Sequence, residues 1–566
     1  MFYIQSKSEL TIFMKLLNTL LLSSLLLIIA CSPASETTVF ENVNGYTILG
    51  EDLIEFQSVA IQDGKFLETS SSSLAEKYPN ATLIDGEGKT MLPGLIDAHG
   101  HVMGLGFQQL NVDLMGINTL EATLDTLKSY ADANPDLEWI QGRGWNQTLW
   151  EENEFPTASD IDEIISDRPV WLSRVDGHAG WGNTMALRMA GISKDTPDPQ
   201  GGKIIRDGSG NATGVFIDAA MGYLGSKIPA PTEKEQRLAL EKAYSQMAKM
   251  GITSVHDAGV SVAAWDLYKE FADSGKAKTR IYGMISGSGN TFDELAKNGP
   301  IDSYADDMLA LRSVKLYSDG ALGSRGAAML RPYSDDPGNV GLLFMEQEEM
   351  DAAVSKVVGK GFQANIHAIG DAGNRQVLDA LEKAQNEHGD QGLRNRVEHA
   401  QIVALDDIPR FKELEIIASM QPTHATSDKN MAEDRVGPQR IKGGYAWKTF
   451  LDQGTVVAAG SDFPVEHSNP FFGLYSAVTR MDHEGNPDGG WYPNEAMSRK
   501  EALRAFTIDA AYAGHQEEVL GSIEAGKWAD FIFIDTDYFK APASDLWKTK
   551  VLETWVAGEK MYDSGE

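Results

Sequence analysis

Hydrophobic spacing divides the chain into two kinds of segment. From about Thr38 to Met91 short apolar runs alternate with turns, as in YTILG, SVAIQDGKF and ATLIDGEGKTML. Asp63-Gly64 and Asp85-Gly86 are turn dipeptides, so this region predicts a series of short strands. About the last fifty residues have the same texture, in GSIEAGKWADFIFID and VLETWVAGEKMYD. Neither stretch can build a core alone. Together they predict one composite β-sandwich domain drawn from both chain ends, residues 38–90 and 511–566.

The middle of the chain, 91–510, alternates short apolar runs with amphipathic helical stretches such as EKEQRLALEKAYSQMAKMG (233–251). That alternation is the signature of βα units on a parallel sheet. Eight candidate strands lie near 91–99, 252–257, 280–285, 313–319, 362–367, 395–400, 415–421 and 455–462. The predicted fold is therefore α/β, a (β/α)8 TIM barrel, with its active site at the C-terminal ends of the strands. The long gap between the first two strands predicts a β-rich insertion at about 105–250. Its pieces WIQGRGWNQTLW, PVWLSRVDGHAGWGN and GGKIIRDGSGNATGVF are rich in Trp, Gly and strand formers. Trp145, Trp150 and Trp181 in these pieces either wall an aromatic pocket or serve ordinary packing.

Composition narrows the chemistry. The 566 residues include 82 Asp and Glu against 49 Lys and Arg, a formal charge of −33. Nucleic-acid binding needs a cationic face, so DNA and RNA are excluded as partners. A single cysteine, Cys31, excludes internal disulfides and thiolate zinc sites. Lys15, the apolar run LLNTLLLSSLLLIIA (16–30) and a small residue at Ala30 match a secretory signal, too short to span a bilayer. Ile28-Ile29-Ala30-Cys31 resembles the lipobox of bacterial lipoproteins. That resemblance implies removal of residues 1–30, lipid attachment at Cys31 and a short tether over 31–37. The chain is then exported and lipid-anchored to the cell envelope, periplasmic or on the outer membrane. Contact with the membrane is expected through that anchor alone.

The polar residues of the barrel strands carry the chemistry. The first strand ends in His99-Gly100-His101, two imidazoles on the same side of an extended segment. Lys315 stands within the hydrophobic fourth strand, His367 ends the fifth, His399 the sixth and Asp462 the eighth. Taken singly these are weak signals. Together they form an N/O donor set suited to Zn²⁺ or a similar ion.

Over nearly the whole length after the tether, the chain resembles the amidohydrolase superfamily, in the branch containing N-substituted formamide deformylases. The likeness runs through LPGLIDAHGHVMG, GRGWNQTLW, SRVDGHAGWGN, VKLYSDGALGSRGA, NIHAIGDAGNR, RVEHAQ, AAGSDFPVE and GSIEAGKWADF. It implies a metal-dependent barrel holding one or two divalent ions, Zn²⁺ foremost. By that likeness His99, His101 and Asp462 hold the more buried ion, and His367 and His399 the second. Lys315 falls where many members carry an N-carboxylated lysine bridging two ions. An unmodified ammonium has no lone pair to donate, and Lys315 alternatively pairs with a carboxylate such as Asp319. After His367 the chain reads GDAGN where relatives commonly have GDRA, which places Ala372 at an arginine position.

The implied activity is hydrolysis of a non-peptide C–N bond in a small molecule, with Asp462 moving the proton. A deaminase, a lactone or ester hydrolase, and a non-catalytic solute-binding lipoprotein are the alternatives. His178 is a candidate oxyanion donor or substrate contact, or an anchor for the insertion. His256 and Asp257 are expected to support the site or the fold. Arg325, in the GALGSRG loop, either meets an anionic substrate group or is solvated. His424 lies in a polar stretch, 421–440, expected to form a lid, and is a candidate substrate contact. A homo-oligomer is compatible with this sequence.

Overall fold

The computed structural model describes residues 37–151, 154–174, 179–199 and 202–565. The signal segment, Cys31 and His178 lie outside the described residues. Among those described, no helix is long and apolar enough to cross a membrane.

Eight parallel strands, with Ile301–Tyr304 added antiparallel to the fourth, form the central sheet: β1 (Leu95–Gly100), β2 (Ile252–Val260), β3 (Arg280–Ser286), β4 (Leu309–Tyr317), β5 (Gln363–Ala368), β6 (Arg396–His399), β7 (Ile417–Met420) and β8 (Val457–Ala459). They are neighbours in chain order, and helices such as Val262–Asp273, Gln347–Gly359 and Asp371–His388 pack outside them. The strands are short runs of Val, Ile, Leu and Ala buried nearly throughout, as expected of a sheet covered on both faces. Beyond Ala459 the chain closes the barrel against β1. Asp462 N–H donates to His99 O (2.7 Å), and His101 N–H donates to Phe463 O (2.8 Å). The buried Asp97 carboxylate accepts from Ser461 Oγ (2.6 Å) and Ser461 N–H (3.1 Å) across this seam. Gly460 is needed there, because a Cβ would stand 2.5 Å from His99 N.

Residues 91–93, which hydropathy alone joins to the first barrel strand, belong to another sheet. Thr90–Pro93 pairs antiparallel with Phe531–Ile534. The six strands of that sheet run Glu559–Asp563, Val551–Val556, Phe531–Ile534, Thr90–Pro93, Asn44–Leu49 and Asp52–Phe56, so both chain ends contribute. A four-stranded sheet from residues 37–85 faces it across Phe40, Val59, Phe66, Met91, Phe531 and Phe533. The fold is thus a TIM barrel with a composite β-sandwich.

The insertion after β1 is a six-stranded sheet spanning Val112–Asp113 to Ala212–Asp218. Helix Glu233–Lys249 follows it and belongs with the barrel. Thr232 and Glu235 cap its start reciprocally, and its buried face (Ala239, Leu240, Ala243, Tyr244, Met247) follows helical spacing. Its Ala239 backbone lies so close to Gly106 of helix Val102–Leu110 that a Cβ at Gly106 would meet Ala239 O at 2.1 Å.

Trp145 does not wall a substrate pocket. It is fully buried in the core of the insertion, donates Nε1–H to Leu172 O (2.9 Å) and packs against Trp150 and Trp181. A large ring among strand formers found its most apolar surroundings inside its own lobe.

Barrel and sandwich are joined by a buried ion pair. Arg280 at the start of β3 holds both oxygens of Asp530, at 2.7 and 3.0 Å, and Asp530 also accepts Ala557 N–H (2.8 Å). Removing the guanidinium leaves a buried carboxylate without its counter-ion. Arg280→Ala is expected to lower unfolding stability by about 3–5 kcal/mol, measured by chemical denaturation. Bound metal in the fraction that remains folded is expected to be unchanged.

Candidate metal centre

The sequence-predicted residues converge at the C-terminal mouth of the barrel. His99 and His101, on one side of the extended chain leaving β1, both face Asp462. His99 Nε2 lies 3.6 Å and His101 Nε2 3.2 Å from Asp462 Oδ1. These three side chains form one group able to hold a cation. Lys315 reaches in from β4 and places Nζ 3.0 Å from His99 Nε2. Its partner is therefore the histidine, and not Asp319, whose carboxylate is taken up by the N–H groups of Ala328, Ile369 and Gly370 at 2.8–2.9 Å.

A second group able to hold a cation comprises His399, His424 and Asp462. His367 stands beside His399, with ring centroids 4.5 Å apart, and its Nε2 is 3.6 Å from Asp319 Oδ1. His424, expected as a substrate contact, is thus brought into the donor set, 3.8 Å from Asp462 Oδ2. The stretch expected to be a polar lid supplies it from helix Pro422–Asp428. That helix is fixed at its far end, where Asp428 accepts from Tyr445 Oη–H (2.7 Å) and Gln401 Nε2–H (2.9 Å).

The tautomers of two imidazoles follow from their partners. His99 Nδ1 meets the buried Glu398 carboxylate at 2.6 Å, and His399 Nδ1 meets Gln421 Oε1 at 2.8 Å. Both acceptors require Nδ1–H, which leaves the Nε2 lone pairs turned into the site. Glu398 and Gln421 were not singled out from sequence, although Arg396 and Glu398 beside His399 in the short run RVEH are a legible signal. Adjacent residues of a strand ordinarily face opposite ways. His399 has φ +76° and Asp462 φ +61°, left-handed conformations in which the chain bends out of its strand. In β6 that bend brings His399 to the same site as its neighbour Glu398.

Electrostatics suit cation binding. Burial drives the His99, His367 and His399 imidazoles below their ordinary pKa, His367 to about 3, so they stand neutral. Burial opposes ionisation of Asp462 as well, but the hydrogen bond from His101 holds its carboxyl well below the usual range. Burial also brings Lys315 down to about 8, against the pull of Glu398 and Asp462. His367 Nε2, His424 Nε2 and Asp462 Oδ1 are buried without hydrogen-bond partners. Uncompensated lone pairs are costly to bury. His424 and Asp462 belong to one group able to hold a divalent ion, and His367 lies beside it.

The remaining candidates have other duties. Arg325 holds Asp335 through Nε (3.1 Å) and Nη2 (2.9 Å), and Asp335 also binds Arg435, so this guanidinium already has a carboxylate partner within the protein. His256 accepts from Arg396 Nη1 (3.0 Å) beneath Glu398. Asp257 anchors the helix after His101 by accepting Val102 N–H (2.9 Å) and Tyr268 Oη–H (2.7 Å). Ala372 donates its N–H to Ala328 O (3.0 Å) in the turn after β5.

Known proteins are similar to this chain over most of their length. The profile described as "Amidohydrolase family" matches residues 82–562. Protein LONG AFTER FAR-RED 3 of Arabidopsis thaliana is 34% identical, over 92% of this chain and 91% of its own. The putative amidohydrolase YtcJ of Bacillus subtilis (strain 168) is 31% identical over 92% and 98%. The N-substituted formamide deformylase of Arthrobacter pascens is 28% identical over 90% and 95%. Among solved structures, an uncharacterized metal-dependent hydrolase from Pyrococcus horikoshii superposes with a TM-score of 0.75 at 26% identity, over 90% of this chain and 99% of that one.

Glu398 orients His99 without reaching the mouth itself. Glu398→Gln is expected to weaken metal binding about 10–100-fold, read by chelator competition. In a His99→Ala background the same substitution is expected to have no further effect.

Proposed function

The chain belongs to the amidohydrolase family and is a metal-dependent hydrolase, and on that premise we propose that it cleaves a C–N bond other than a peptide bond in a small molecule. Amides, formamides and cyclic amides are the substrate classes. The reading is supported by the deformylase relative and rests above all on Asp462, an ionised buried carboxylate shared by two groups of imidazoles. A solute-binding protein has no use for a proton-transferring carboxylate at that point.

In this reading His99, His101 and Asp462 hold one divalent ion, Zn²⁺ being the ion suited to the donors, and His399 with His424 and the adjacent His367 hold a second. As a carbamate, Lys315 would add an oxygen donor to that set. Its burial favours the neutral amine, the form that adds CO₂ and releases a proton. A divalent ion bound there would supply Lewis acidity and lower the pKa of bound water toward about 7.

The chain's own residues do the rest. Asp462 takes the proton from the attacking water and returns it to the leaving nitrogen, so that the C–N bond breaks toward a neutral amine. Glu398 and Gln421 keep His99 and His399 in the tautomer that presents Nε2. The charge balance of the pocket keeps Asp462 ionised near neutral pH.

Replacing His99 and His101 together by Ala is expected to abolish both metal content and activity, read by elemental analysis and rate. Asp462→Asn is expected to keep metal while kcat falls about 10²–10⁴-fold. A panel of N-acyl, N-formyl, cyclic-imide and lactone substrates on zinc- and manganese-loaded protein tests the bond class. Turnover of an amide, formamide or imide supports the proposal. Turnover of lactones alone, or of none, overturns it.

A further inference from the structure

Tyr317 is the last residue of β4, two positions beyond Lys315. Alternate residues of a strand point the same way, so the ring projects from the same side as Lys315, one layer nearer the mouth. Contacts agree. The ring centroid is 5.1 Å from Lys315 Nζ and 5.5 Å from the His367 ring, its register partner on β5. Residues above and below it in the barrel are buried, whereas Tyr317 is 40% exposed. Its hydroxyl makes no hydrogen bond among the described residues. A tyrosine whose ring is fixed against the donor set and whose O–H is unclaimed has the form of a substrate contact. At neutral pH a phenol keeps its proton and can donate it to an oxygen that gains negative charge.

We propose that Tyr317 is a catalytic residue that donates a hydrogen bond to the substrate carbonyl oxygen as it becomes the oxyanion. The proposal rests on the hydrolytic reading above. Water oxygen adds to the carbonyl carbon, and the C=O electron pair moves onto oxygen. The Tyr317 O–H hydrogen bond strengthens without transferring its proton. Collapse re-forms C=O and breaks the C–N bond, the nitrogen receiving its proton from Asp462. A donor placed to meet the charged oxygen better than the neutral carbonyl lowers the barrier and changes ground-state binding little.

Tyr317→Phe keeps the ring and removes only the donor. In the full-length, metal-loaded protein, kcat is expected to fall about 10²–10³-fold, with KM within about threefold and metal content unchanged. A methyl phosphonamidate, whose tetrahedral P–O⁻ imitates the oxyanion, provides a measurement independent of turnover. Titration calorimetry is expected to show at least about 30-fold tighter binding to the wild type than to Tyr317→Phe. An unchanged kcat, or equal phosphonamidate affinity whether weak or tight, overturns the proposal. If lactones are turned over and amides are not, the C–N reading fails. The loss of kcat in Tyr317→Phe on the lactone then still supports the donor role, because ester cleavage passes through the same oxyanion.

Discussion

The site depends on the closure of the barrel between its last and first strands. Asp97 on β1 and Ser461 just past β8 are 364 residues apart in sequence, yet the carboxylate accepts both the hydroxyl and the N–H of that serine. The same seam ties Asp462 N–H to His99 O. A strand pair held this way leaves the side chains of His99, His101 and Asp462 nowhere to go but toward one another. Gly460 allows the approach, since any side chain there would collide with the β1 backbone. Opening this seam by a single ångström would separate the carboxylate from both imidazoles.

Around that seam the barrel interior buries an unusual number of ionisable groups. Arg396, Glu398, His99, Lys315 and Asp462 form a chain of contacts from beneath the site to its mouth. Each group is costly to desolvate alone, and each is tolerable because its neighbour has the opposite charge or a free lone pair. The balance is incomplete at the upper end, where imidazole nitrogens and a carboxylate oxygen lack partners. The donors gathered at the mouth are the ones that a cation would complete. The left-handed backbone at His399 and Asp462 belongs to the same design, with local strain held by the surrounding sheet so that donors converge.

Much of this was legible in the sequence. The eight apolar runs became eight strands, and the β-rich ends became one sandwich, because burial on both faces of a parallel sheet leaves a continuous hydrophobic signature. His99, His101, Lys315, His367, His399 and Asp462 stood out as polar residues at the ends of such runs, and the structure gathers them at one mouth. The readings that failed concern residues whose surroundings are built from distant segments. Trp145 looked like a pocket wall and is core of its own lobe. Arg325 looked available and is held by Asp335. His424 seemed to belong to a loose lid and comes from a short helix that faces Asp462.

Periodicity and residue chemistry were therefore enough to determine the strand count, the shared sandwich and the type of donor set, because each is a property of local spacing. Only the tertiary structure decided which donor faces which. Glu398 is separated from His99 by almost three hundred residues, and nothing local to either marks their 2.6 Å contact. The pairing exists because strand order and register bring β6 opposite β1, and the tautomer of His99 follows from it. The separation of ligand from support, and of free arginine from paired arginine, is set by such long-range contacts, which leave no periodic trace along the chain.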